Sequence, residues 1–116
     1  MPLHDDALRL RHMLEAARKA VTFATHRTRQ DLETDEQFSL ALTRLLEIIG
    51  EAAGTVSSSI REGNPAIPWR AIVSTRNRLI HGYFDVDLDV LWKIVSQDLP
   101  ILVRELERLV QPGNEG

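Results

Sequence analysis

The sequence predicts an all-α fold: an up-and-down bundle of about four main helices, paired as a homodimer. Three observations carry this. Apolar residues recur every three or four positions through most of the 116 residues, the spacing of helix faces that turn toward a core. The breaks between these runs are short and rich in Ser, Gly, Asn, Pro and Asp, as helix connections are. No alternation of apolar and polar residues at strand period is visible. The length bounds one core, so residues 1–116 read as a single helical domain.

In the first helix, expected over about residues 5–25, Leu10, Leu14, Ala17, Val21 and Ala24 step by four, three, four and three. The polar run His26–Asp31 reads as a loop. Thr34-Asp35-Glu36-Gln37 has capping-box spacing, with Thr34 as the cap and Gln37 reaching back. It opens a second helix through Phe38, Leu42, Leu45, Leu46, Ile49, Ala53 and Val56. With Ile48 added that apolar face is wide, which suits a helix packed on two sides and motivates the dimer. Gly50 and Gly54 lie inside this helix, where close packing is their expected role. Residues 57–65 break the pattern, and Pro68 fits the first turn of a third helix. That helix is expected to run through Trp69, Ile72, Leu79 and Ile80 to His81, with Gly82 as its left-handed stop. Asp87 is placed to cap a fourth helix, whose stripe runs from Leu88 to Leu109 with a kink expected at Pro100. Residues 112–116 read as a frayed tail.

Composition excludes several classes. There is no cysteine, hence no disulfide framework or thiolate metal site; this fits a cytoplasmic location. No signal-like segment is visible at the N-terminus, and no apolar run approaches a membrane span. The formal net charge is -3, so any grip on nucleic acid must come from a local basic patch. Asp85, Asp87 and Asp89 begin like a calcium loop, but Val90 and Ser96 stand where glycine and glutamate are needed. His4, His12 and His26 lack the i,i+4 pairing of a helical zinc site. No metal and no cofactor is expected. Glu47 and Glu51 read as solvated surface, though Glu51 would fit a dimer seam.

The chemistry concentrates in Arg76-Asn77-Arg78-Leu79-Ile80-His81-Gly82-Tyr83. Five helical steps would leave Arg76 and His81 pointing about 140° apart, so they converge only where the helix ends. Asn77, four residues before His81, would share its face and support the imidazole or a phosphate. A histidine titrates near neutrality and can act as acid or base. The arginine fork suits two phosphate oxygens. Arg70 and Arg78 would extend a phosphate-binding patch around the motif, with solvated helix surface as their default reading.

This segment resembles the Arg-x4-6-His signature of the HEPN superfamily, and more closely the Arg-x4-His-x-Tyr form of HepT toxins from HEPN/MNT toxin–antitoxin pairs. Trp69 upstream, the aspartate-rich turn, and Trp92 early in the last helix extend the likeness over the C-terminal half. The resemblance implies a metal-independent endoribonuclease, with Arg76 and His81 catalytic and two motifs facing across a symmetric dimer. It implies an MNT-type nucleotidyltransferase as antitoxin, which attaches AMP to the motif tyrosine, here Tyr83. The alternative is a non-catalytic helical subunit that pairs with a minimal nucleotidyltransferase and helps bind its nucleotide or substrate.

Overall fold

The computed structural model describes residues 2–82 and 85–110; Tyr83 and the tail at 112–116 fall outside that range. Two long helices make the frame. Helix α1 (Pro2–Ala24) packs along α3 (Glu36–Gly54), and between them lies the short α2 (Arg29–Thr34). Three short helices follow: α4 (Ser58–Gly63), α5 (Trp69–Val73) and α6 (Thr75–Leu79). A two-residue ladder, β1 (Ile80–His81) with β2 (Asp85–Val86), leads into α7 (Leu88–Lys93), a π turn (Ile94–Asp98) and α8 (Leu99–Leu109). Helix α8 packs against α1, and α5 and α6 pack against α3. Four rods thus form the bundle, the third and fourth of them broken.

The helical stripes meet in one core. Met13, Leu42, Leu79, Leu91 and Leu106 are fully enclosed, and Trp69 is buried with them. The Trp69 indole N–H donates to the Asn64 carbonyl at 3.0 Å. Asp6 is buried too, with its carboxylate accepting from the Ser57 amide at 2.8 Å and the Ser57 hydroxyl at 2.7 Å. It thereby satisfies the chain where α3 gives way to α4.

Several local expectations are corrected. The run after His26 is not all loop, because α2 starts at Arg29, where the Asp31 carboxylate accepts from the Thr28 amide at 2.7 Å. Thr34 ends α2; the cap of α3 is Asp35, which accepts from the Phe38 amide at 3.1 Å. Asp35 is also held by Arg27 at 2.9 Å. The Arg27 guanidinium also lies 3.9 Å from the Phe38 ring centre, so one cation joins two caps and the core edge. The third helix is two: Ser74 interrupts it, and its hydroxyl turns back on the Arg70 carbonyl at 2.9 Å. Pro100 is absorbed by the π turn just before it, since the wider turn re-routes the backbone bond that proline cannot make.

Gly50 explains how closely the second and third rods approach. A Cβ there would stand 3.1 Å from the Ile72 carbonyl oxygen, whereas one at Gly54 would meet Val73 Cγ1 at 4.0 Å. Gly50→Val should therefore push α5 outward and cost about 1–3 kcal/mol. Gly54→Ala should be neutral or stabilising by up to about 1 kcal/mol, from helix propensity. Urea midpoints of both variants check this; equal effects would contradict the close approach.

The Arg27 cluster predicts an acid-labile stability. The Thr28 amide and Arg27 hold the Asp31 carboxyl below its ordinary value of 3.8, and Arg27 with the Phe38 amide does the same for Asp35. A carboxyl that titrates lower folded than unfolded stabilises above its unfolded value, and that contribution drains as pH falls through the folded one. Urea midpoints taken downward from neutral pH should fall below about pH 5, and fall less in an Asp31→Asn/Asp35→Asn variant.

Candidate active site

Leu79 ends α6 with its side chain in the core. Arg76 and Asn77 precede it on the exposed side of α6, and His81 follows it on the exposed side of β1. The backbone then doubles back. Gly82 takes φ of 77°, a left-handed conformation that glycine adopts without a Cβ penalty. Its place is a hairpin turn rather than a helix stop. The ladder pairs Ile80 with Val86 and His81 with Asp85, and the Asp87 amide donates to the Leu79 carbonyl at 2.7 Å.

This register decides what surrounds His81. Residues two apart on a strand share a face, so the Asp87 side chain sits diagonally across from the imidazole. Its Oδ2 is 3.4 Å from His81 Nε2, while Oδ1 caps α7 by accepting from the Asp89 and Val90 amides at 3.1 Å each. The Val90 amide above all, with His81 contributing, holds the Asp87 carboxyl below its usual range. Of the acidic run, Asp89 instead pairs with Arg29 at 2.8 Å.

Arg76 meets α3. Its Nη1 is 3.6 Å from Glu47 Oε2, and Arg44 reaches the same carboxylate at 3.9 Å and Glu51 at 3.8 Å. Glu47 is 19% exposed against 67% for Arg76, so it is partly buried where its sequence position suggests a solvated side chain. Arg44 was missed in the sequence. Its spacing to Glu47 and Glu51 marks one stripe of α3, but nothing local says that α6 lies beside that stripe.

The remaining motif residues are not gathered in. Asn77 does not share a face with His81, because α6 stops at Leu79 and the chain is extended from Ile80. Among the described residues its side chain makes no hydrogen bond, and neither it nor Arg76 pairs with His81. Arg70 borders a shallow depression with Ser58, Arg61 and Glu62. Arg78, half-buried, borders a different and more apolar groove with Asp98 and Glu105. The two arginines therefore belong to separate surfaces. No three potential metal-ligating side chains cluster among the described residues, and none of the described helices is long and apolar enough to cross a membrane.

The arrangement is an exposed imidazole with a carboxylate behind it and an exposed guanidinium one segment away. The family model described as Ribonuclease HepT-like matches residues 13–109, which takes in every element from mid-α1 to the end of α8. The chain belongs to this HepT-like family of the HEPN superfamily. Among relatives of this HepT-like chain, "Putative RNase MJ1380" of Methanocaldococcus jannaschii is 38% identical over 95 residues, covering 82% of the chain and 87% of the relative. "Probable ribonuclease HepT" of Thermococcus cleftensis is 42% identical over 80 residues, covering 69% and 73%. "Putative RNase MJ1216" of Methanocaldococcus jannaschii is 30% identical over 111 residues, covering 96% and 92%. No solved structure matches the chain.

Proposed function

We propose that the protein is a metal-independent endoribonuclease acting as a homodimer, and the toxin of a toxin–antitoxin pair. The observation that supports this most is His81: an exposed imidazole backed by the Asp87 carboxylate, two residues beyond the helix end that carries Arg76. The relatives named as ribonucleases set the reaction class.

In this reading one histidine takes the proton of a ribose 2′-OH as the 2′-oxygen attacks the adjacent phosphorus. The bond to the 5′-oxygen breaks, and that oxygen takes a proton from a second histidine. The products are a 2′,3′-cyclic phosphate and a free 5′-hydroxyl. Arg76 neutralises the extra charge on the phosphorane oxygens, and Asn77 supports the phosphate. Each chain brings one motif histidine, so two proton transfers call for two chains. The stripe Leu40, Arg44, Glu47 and Glu51 supports α3 as the seam: Leu40 is 58% exposed and lies on the side of α3 that also meets Arg76. Arg44 shares the Glu47 carboxylate with Arg76; Arg70 and Arg78 would contact RNA from the separate surfaces they border.

RNA cleavage in the presence of a chelator tests the reading. Arg76→Ala and His81→Ala should each lose about 10²–10⁴-fold in rate while staying folded, since both side chains are exposed. The active species should have the mass of two chains. Cleavage of an all-deoxy strand, or full activity in His81→Ala, would overturn the mechanism. Survival of a cognate nucleotidyltransferase's activity only when this chain is present would favour the non-catalytic subunit, which the net charge of -3 also favours.

Regulation in this reading falls on Tyr83. An MNT-type nucleotidyltransferase acting as antitoxin would join the tyrosine oxygen to the α-phosphorus of ATP and release pyrophosphate. The phosphodiester, two residues from His81, would compete for Arg76 and fill the site with adenosine. Tyr83→Phe should keep most nuclease activity and resist inactivation. Peptide mass spectrometry after incubation with the partner and ATP should find one AMP on Tyr83 in the wild type; inactivation with an unmodified tyrosine would refute it.

A further inference from the structure

The hairpin gives Asp87 three roles at one point in the chain. Its backbone amide closes the ladder onto Leu79, Oδ1 caps α7, and Oδ2 faces His81 Nε2. A helix cap needs one side-chain oxygen, and serine, threonine or asparagine would serve. The second oxygen is what a carboxylate adds, and it points at the imidazole. A one-residue slip of the ladder would turn it to the opposite face, so backbone pairing holds it there.

We propose that Asp87 is a positioning residue that keeps the proton of neutral His81 on Nε2 and leaves Nδ1 as the nitrogen that exchanges protons with substrate. This rests on the nuclease reading for its consequence, not for its geometry. A carboxylate has no hydrogen to give, so the imidazole edge facing it must carry the N–H. The opposite edge then presents a bare Nδ1 to solvent, on a side chain that is 58% exposed. When Nδ1 takes the 2′-OH proton the ring becomes a cation, and Asp87 stabilises it without accepting a proton itself. Held below its usual titration range, Asp87 stays anionic throughout. At 3.4 Å the contact is longer than a charge-assisted hydrogen bond, and such contacts tighten when substrate binds.

Asp87→Asn separates this role from capping. The asparagine oxygen still caps α7, but its amide nitrogen now faces Nε2 and donates, which drives the proton to Nδ1. The measurement is the imidazole ¹⁵N shifts of labelled protein above the histidine titration range, with His81 assigned by comparison with His81→Gln. Wild type should show a protonated Nε2 and a bare Nδ1, and Asp87→Asn the reverse. The Asn variant should keep its urea midpoint, and kcat should fall about 10²–10⁴-fold with little change in KM. Asp87→Ser keeps a cap without either bias; it should show both tautomers and an intermediate rate. Because shifts are read without turnover, an inactive wild type with the expected tautomers would sink the nuclease reading alone. A wild type protonated on Nδ1, or an unchanged tautomer in both Asp87 variants, would overturn the proposal. So would reversed tautomers with undiminished kcat.

Discussion

Leu79 is fully enclosed at the end of α6, and its burial fixes what stands on either side. The side chain must enter the core, so the helix face that bears Arg76 and Asn77 must look outward. The carbonyl of the same residue accepts the Asp87 amide, so the chain that leaves the helix has to return beside it within eight residues. A buried backbone acceptor without a partner is costly. That requirement, more than any propensity for strand, explains a two-residue ladder in an otherwise helical protein. It also explains why the motif histidine stands in a paired ladder rather than at a helix end.

Electrostatics at the site follow the same economy. Two motif residues face a carboxylate: Arg76 that of Glu47 on α3, distant in sequence, and His81 that of Asp87, six residues on, at the cap of α7. Arg44 shares Glu47, which puts two guanidinium groups beside one carboxylate in a chain whose net charge is negative. In the proposed nuclease reading, a phosphate replaces Glu47 as the partner of Arg76 without uncovering a buried cation, because the guanidinium is 67% exposed already.

Much of this was legible in the residues. The stripes from Leu10 to Ala24 and from Phe38 to Ala53 lie on α1 and α3, with Val56 buried just past the end of α3, and the helix beginning after Asp87 is capped by Asp87 as its position implied. Gly50 was readable as a point of close packing, and Trp69 as core. The errors share a cause. Thr34 and Asp35 are both competent caps, and the choice fell to Asp35, which Arg27 reaches from outside the helix. Pro100 announced a break, but a π turn and a kink satisfy the same missing N–H.

The sequence by itself determined the fold class, the helix faces and the motif that places the chain in its family, because these depend on spacing along one chain. Tertiary structure decided where α6 ends, that His81 lies in a strand, that Asp87 stands behind it, and that Glu47 and Arg44 come to Arg76. Those facts depend on which backbone groups find partners across elements far apart in sequence. No local pattern encodes the distance from α3 to α5, the helix that leads into α6; Gly50 lets those two approach closely.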